Sequence, residues 1–363
     1  MKVLQVNTGE PPSLVGASSL DTPAELLSDP GQRLEYQLSE LPRLIRKGGF
    51  KGKRAVIAIP PDQTLCKALQ TARIEGLSLS EVVSHALAEQ LECHPEALVC
   101  RPIEAGTGTR SGKSEILGIA TTREMVDRLL GGLRHARLEP VGIHSEYVAL
   151  THAFSGLSMG EERDSSTTLF LDVGAGSSKV VIATNGTLSF ARQIEVGAAS
   201  MVREIERQLD CGFEEAERVW RGMESMDEAL PTVLKRAAGA ESMDAAPMVG
   251  EVGARRRAMS TSSGADLTEP LEILTDEISM ATRYHESVFP QRRLERVLFV
   301  GGASRQVGFC QHVAKAVRLT AQIADPMARV ARSGKEPCVN VDLTQPQPGW
   351  AVALGLCSSP TDL

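Results

Sequence analysis

The apolar positions of this chain follow two rhythms. Lys2–Val6 and Leu14–Ala17 read as two strands joined by the polar turn Asn7–Ser13. From about Glu35 to Lys47, Leu38, Leu41, Leu44 and Ile45 recur on one face of a helix. Arg54–Pro60 reads as a buried strand stopped by Pro60-Pro61, and Ser80–Leu91 as a helix with Ser80 as N-cap. Leu98–Glu104 and Glu115–Thr121 look like paired strands, Arg123–Ala136 like a helix and Val141–His144 like a strand. After a polar break at Ser158–Thr167 come the strands Thr168–Val173, Lys179–Ala183 and Leu188–Ile194. Helices follow at Ala199–Leu209 and from about Phe213. Ala237–Gly264 lacks periodicity and reads as a long surface loop. A helix is expected over Pro270–Phe289, then an apolar strand Arg296–Val300 and a helix Gly308–Val317. Strands mixed with helices at this density predict an α/β protein.

Two segments resemble each other. Met1–Gly9 with Leu14–Ala17, and Ser178–Gly186 with Leu188–Ala191, each run lysine, apolar strand, polar turn, second strand. Such a repeat suggests a duplicated lobe, although two β-hairpins also look alike by chance. The second copy is preceded by Leu169–Ser177 (Leu-Phe-Leu-Asp-Val-Gly-Ala-Gly-Ser); the first has no such strand and turn before it.

That preceding stretch carries the clearest candidate chemistry. An apolar strand ends at Asp172, and Gly174-Ala175-Gly176-Ser177-Ser178 turns into the next strand. Gly174 and Gly176 let backbone N–H groups approach an anion, and the hydroxyls of Ser177 and Ser178 are potential phosphate donors. Asp172 is placed to hold a magnesium ion through water. A tight hairpin that needs glycine for its turn is the competing reading. The second candidate is Val297–Arg305, a buried strand running into Gly301-Gly302 and then Ser304. A ligand can lie against such a backbone at the carboxyl end of a strand, though Gly-Gly also serves plain turns. Together the two suggest a nucleotide site, one turn for phosphates and one for adenosine. By contrast, Gly106–Ser114 only looks like a Walker loop. Its glycines are spaced five or three residues from Gly112 rather than four, and strand rather than helix follows, so a hairpin tip is expected.

Composition narrows the classes. The 363 residues are enough for two domains, and 42% hydrophobic residues is ordinary for a globular protein. A net charge of −7 provides no general field for nucleic acid or an anionic membrane, and Arg255-Arg256-Arg257 reads as part of a solvated loop. The seven cysteines are scattered without a C-x-x-C pair, which argues against a zinc site and a disulfide framework and suits reduced thiols in cytosol. No apolar run is long enough to cross a bilayer, and Met1–Val6 does not read as a signal peptide.

In order, these motifs resemble the actin/Hsp70/FtsA ATPase superfamily and, within it, PilM-type type IV pilus assembly proteins. Asp172–Lys179 is similar to that family's second phosphate motif, and Phe299–Arg305 to its adenosine motif. Ile143–Leu150 looks like the first connecting helix, which would place Glu146 near the reacting water, and Trp350–Leu356 looks like the closing helix. Arg54–Pro60, Arg123–Pro140, Ala199–Gly222, with Glu217 at the ribose, and Leu274–Tyr284 are closer to PilM than to the wider superfamily.

The resemblance implies a bilobed actin-like fold of duplicated RNase H-like lobes. The first lobe would comprise residues 1–50 and 131–165, with an inserted small α+β domain at 51–130. The second would comprise 166–210 and 294–363, with a helical and loop subdomain at 211–293. It implies a cytoplasmic scaffold that binds ATP and Mg2+ between its lobes and self-associates. It would grip the cytoplasmic N-terminal tail of a PilN-like inner-membrane protein in a groove between the insert and the first lobe, meeting the membrane only through that partner and binding no nucleic acid.

Two departures from the family stand out. Its first phosphate motif, an Asp-x-Gly turn, should precede Lys2; either a true start upstream supplies it, the favoured reading, or the protein has lost the loop, and the chain as given should hydrolyse ATP weakly or not at all. Trp220 stands where relatives carry a lysine, and would either stack on a base or pack. A sugar kinase of this fold would need a substrate aspartate between the lobes, and none is convincing. An FtsA-type filament former predicts an amphipathic C-terminal membrane helix, unlike Cys357–Leu363, and a related secretion-system domain predicts a transmembrane segment.

Overall fold

The computed structural model describes residues 1–71, 78–107, 114–155, 167–222 and 265–361. The residues expected to form the hairpin tip (108–113), most of the polar break (158–166) and the Ala237–Gly264 loop with its three arginines lie outside these.

The chain opens with an antiparallel hairpin, β1 (Lys2–Asn7) and β2 (Ser13–Ser19), with an irregularity between Gln5 and Val6. Helix α1 (Pro30–Lys47) begins five residues earlier than expected. Pro30-Gly31 reads as a breaker, yet proline suits the first helical position, where no N–H partner is needed. Asp29 caps the helix, its carboxylate accepting from the Gln32 N–H at 2.9 Å. β3 (Arg54–Ile59) pairs in parallel with β7 (Glu139–Ser145) as a two-stranded sheet. The strand is therefore only half-buried apart from Ile59, not buried throughout.

Between these strands lies a separate unit. β4 (Leu65–Thr71), α2 (Leu79–Gln90), β5 (Leu98–Thr107) and β6 (Ser114–Thr122) form a three-stranded antiparallel sheet in the order β4-β6-β5, with α2 packed on it. This unit spans 65–122; β3 and α3 (Arg123–His135), which flank it, pack with α1 through Leu34, Ile59, Met125 and Leu129. The cap of α2 is Ser78 rather than Ser80. Ser78 and Glu81 form a reciprocal capping box, the Ser78 N–H donating to Glu81 Oε2 at 2.8 Å. β4 escapes pattern reading because Leu-Cys-Lys-Ala-Leu-Gln-Thr neither alternates nor carries a β-branched residue before Thr71; its ladder to β6 makes it a strand.

After α4 (Glu146–Ala153) comes the second sheet. It contains β8 (Thr167–Val173), β9 (Ser178–Thr184), β10 (Thr187–Ile194), β11 (Leu294–Val300) and β12 (Thr320–Ile323), ordered β10-β9-β8-β11-β12. β8, β11 and β12 run parallel, β9 is antiparallel to β8, and β10 is antiparallel to β9. The sheet is sandwiched, so β8 is buried at every position. Leu169, Leu171 and Val173 face a core built with α5 (Ala198–Leu209), α6 (Phe213–Gly222), α7 (Thr268–Val288) and α8 (Val307–Val317). Phe170, Val181 and Ala183 face the opposite core, shared with α4 and with Ala105, Leu117 and Ile119 of the small unit. Arg292 ties that unit down, donating to the Ala105 carbonyl at 2.6 Å and lying over the Phe289 ring.

The end of the chain returns to the beginning. β13 (Cys338–Val339) pairs in parallel with β2, and Met327, Val330, Trp350 and Leu354 share a core with Leu14 and Ala17. Residues 326–361 thus pack against the opening hairpin. The last helix, α9 (Ala351–Cys357), lies directly on α4: a Cβ at Gly355 would overlap the Ala149 carbonyl. A Gly355→Ala variant should therefore force the two helices apart and lose several kcal/mol of stability, read by thermal or urea unfolding. Wild-type stability would show that the helices are not in backbone contact.

His285 of α7 is 1% exposed, with Nε2 beside Ser189 Oγ at 3.1 Å. Burial pushes its pKa down to about 4, reinforced by Arg292. The unfolded chain takes up this proton near pH 6.5 and the folded chain resists it, so stability present above that pH falls as the solution is acidified toward about 4. A His285→Gln variant should show a shallower loss across that window in pH-dependent urea melts.

Candidate functional site

The two glycine turns emerge side by side. β8 and β11 are parallel neighbours with Val300 opposite Asp172, so both turns leave the same edge of one sheet. Both therefore stand on one sheet, beside each other rather than opposed. Gly301 has φ 90, and a Cβ there would stand 2.5 Å from Asp172 Oδ1 and 2.6 Å from the Val173 carbonyl carbon. Only glycine permits this approach. Gly302, by contrast, borders open space, with nothing within 4 Å of where its Cβ would be.

The period of the strands sets what surrounds Asp172. Residues 168, 170 and 172 of β8 share the face on which α4 lies, and in the antiparallel ladder Lys179 is the direct cross-strand partner of Asp172. Glu146 opens α4 on that face. The result is a buried triad: Lys179 Nζ donates to Asp172 Oδ2 at 2.7 Å and to Glu146 Oε2. Lys179 and Asp172 side chains are each 9% exposed, Glu146 22%. Desolvation alone would discharge Lys179, but Asp172, and then Glu146, outweigh it and hold its pKa above the ordinary lysine value.

The facing wall comes from the first lobe. Lys2 donates to the Gly349 carbonyl at 2.6 Å and lies 5.9 Å from the Trp350 ring centroid. Its ammonium senses Asp172, Lys179, Arg305 and Glu146. Surrounding protein lowers its pKa against an upward pull from Asp172, an effect that solvent weakens because much of this side chain stays exposed. Arg33 of α1 reaches the phosphate-loop candidate: a Cβ at Gly176 would lie 3.4 Å from Arg33 Nη1. Arg33 itself pairs with Asp62 at 3.0 Å. Arg305 donates to Gln347 at 2.9 Å, and the Gly301 N–H to the Pro348 carbonyl at 3.0 Å, which sets the Pro348–Trp350 turn against the double glycine.

Glu146, Asp172, Gly174, Gly176, Ser177, Gly301 and Gly302 thus gather where β8 and β11 end. Three other expected residues are spent elsewhere. Ser178 is fully buried and donates to the Val196 carbonyl at 2.6 Å, so its hydroxyl does not face the turn's open side. Ser304 is likewise buried and donates to the Val300 carbonyl. Glu217 pairs with Arg221 along α6 at 2.8 Å. Trp220 packs edge-on against Phe309, centroids 5.9 Å apart, inside the core. In the loop, the Gly174 N–H is held by the Ser177 carbonyl at 3.0 Å, and the carbonyls of Gly174 and Ala175 cap the first turn of α5. The sequence reading missed Lys2, Arg33, Asp62, Lys179 and Arg305. The repeat already aligned Lys2 with Lys179, and hairpin register alone pairs Lys179 with Asp172; Arg33 and Asp62 carried no signal.

A family model described as type IV pilus assembly protein PilM matches residues 22–235. The chain belongs to the PilM family. No curated protein sequence matches this PilM-family chain. Among solved structures it is similar to a PilM–PilN type IV pilus biogenesis complex, with TM-score 0.72 and 20% identity over 99% of this chain and 96% of that one. That likeness shows the fold, the bilobed α/β actin-type architecture. Lower similarities are found to the ethanolamine utilization protein EutJ of Carboxydothermus hydrogenoformans (TM-score 0.35, 14% identity, 65% of this chain and 60% of that one). The MreB5 structure of Spiroplasma citri bound to AMPPNP is comparable (TM-score 0.40, 14% identity, 65% and 63%). Among the described residues of this PilM-family chain, no helix is long and apolar enough to cross a membrane.

The two neighbouring glycines separate the site's structural and open sides. Gly301→Ala adds a Cβ at positive φ against Asp172 and should cost about 1–3 kcal/mol. Gly302→Ala should leave the unfolding midpoint unchanged. Equal effects would contradict this packing.

Proposed function

We propose that this PilM-family protein is a nucleotide-binding scaffold of a type IV pilus or related secretion machine. It sits in the cytoplasm beneath the inner membrane and grips the N-terminal tail of a PilN-like membrane protein. The tail reading is supported by family membership and by a solved relative of the same fold in complex with PilN. The groove between the three-stranded unit and the first lobe is the place for that tail, and self-association would build the scaffold.

The nucleotide reading rests on one observation: Gly302 faces open space next to Gly301, which closes on Asp172, and a Cβ at Gly349 would stand 2.6 Å from Lys2 Nζ and 3.4 Å from the Gly302 nitrogen. Adenosine would lie on the Gly301-Gly302 backbone and the phosphates toward the Gly174–Ser177 turn and the cations. Chemistry at the phosphates is weak or absent, because Glu146, the residue placed to orient water, is held by Lys179.

Two measurements test this. Calorimetry should detect ATP binding by the wild type, and Gly302→Leu should weaken it at least about tenfold with its unfolding midpoint unchanged. A labelled tail peptide from a PilN-like partner should bind and change anisotropy. ATP affinity unaffected by Gly302→Leu would remove the adenosine assignment, and absence of peptide binding would remove the tail assignment.

A further inference from the structure

The magnesium ion that an ATP site of this fold would hold can be tested against the residues present. Magnesium takes one or two carboxylates plus water and phosphate oxygens, in octahedral geometry. The carboxylates here are Asp172 and Glu146, and both already hold the Lys179 ammonium. Asp172 Oδ2 is 2.7 Å from Lys179 Nζ, while Oδ1 faces the Gly301 backbone. Among the described residues, no cluster of three His, Cys, Asp or Glu side chains offers another site. The donor set therefore does not fit a protein-held divalent ion.

We infer that Lys179 is the crevice's built-in cation, occupying the place between Asp172 and Glu146 where a metal would sit, so that polyphosphate binding does not depend on a divalent ion. Two further observations support this. Lys2, the counterpart of Lys179 in the other half of the repeat, reaches the double glycine: a Cβ at Gly349 would stand 2.6 Å from Lys2 Nζ and 3.4 Å from the Gly302 nitrogen. Arg33 stands against Gly176 from the opposite lobe. Lys179 is matched by Asp172 and Glu146, and Arg33 by Asp62, so Lys2 is the cation these pairs leave to meet a phosphate, while Lys179 cancels carboxylate charge that would otherwise repel it. Phosphate binding would then need no metal bridge.

This inference deepens the nucleotide reading, and its experiment has an arm that does not rest on it. Manganese uptake by the full chain, without nucleotide, is followed by electron paramagnetic resonance. ATP affinity is measured by calorimetry in magnesium and in EDTA. Wild type should take up no manganese at millimolar concentration, and its ATP affinity should differ by less than about twofold between the two buffers. A folded Lys179→Gln variant should acquire manganese binding and bind ATP at least about tenfold tighter with magnesium than with EDTA. Wild-type manganese binding that Asp172→Asn abolishes would overturn the inference. So would a wild-type ATP affinity about tenfold tighter in magnesium, or a folded Lys179→Gln chain that gains no manganese. If Lys179→Gln does not fold, the wild-type and Asp172→Asn titrations decide. Failure of ATP to bind in either buffer would remove the nucleotide reading while leaving the manganese result to judge this one.

Discussion

A charged lysine buried between the second sheet and α4 cannot exist alone. Taking an ammonium out of water costs several kcal/mol, and Lys179 is 7% exposed, so its two carboxylates are obligatory. Asp172 comes from the adjacent strand of the same sheet. Glu146 comes from α4, at the end of a strand of the other lobe. One buried charge therefore couples the pleat of the second sheet to the position of the first connecting helix. Moving α4 away would strand the ammonium with one partner in a low-dielectric site, so the triad opposes opening of the lobes at this point.

Close backbone approaches hold α4 where the triad needs it. Gly355 lets α9 rest on the Ala149 carbonyl, and α9 also packs against β1 and β3. Gly301 lets the β11 turn close on Asp172 from the other side. A methyl group at either position would shift the elements by more than an ion pair tolerates. The paired charge and the glycine contacts are thus parts of one arrangement: polar groups stay satisfied only while the backbones stay near.

Much of the fold was legible because local pattern and tertiary context agree. Amphipathic α1, α3 and α7 bury the faces their periodicity marks, and β8, buried on both sides, reads as an almost unbroken apolar run ending at Asp172. Where context dominates, pattern fails. β4 is a strand through its ladder alone, and β13 through two residues paired with β2. The return of residues 326–361 to the opening hairpin is a long-range event with no local signature. At the site, the glycines were identifiable because they follow apolar strands as turn residues, although only Gly174 and Gly301 stand where a Cβ would clash. The fates of Ser178 and Ser304 were not, since whether a hydroxyl faces a ligand or the carbonyl of Val196 or Val300 depends on a side-chain direction that sequence spacing leaves open.

The comparison with the PilM–PilN structure shows why fold and site must be argued separately. At 20% identity, cores tolerate wholesale hydrophobic exchange provided volume and pattern persist, so a TM-score of 0.72 is compatible with few shared side chains. A catalytic constellation has no such latitude, because one substituted charge reverses its electrostatics. Replacing a neutral side chain by lysine at position 179 would keep every strand of the second sheet and still turn a carboxylate pair able to attract a cation into one already neutralised. A scaffold, as proposed here, requires only that its parts hold their shape. The ion triad serves that demand, because Lys179 fastens α4 to the second sheet through Glu146 and Asp172.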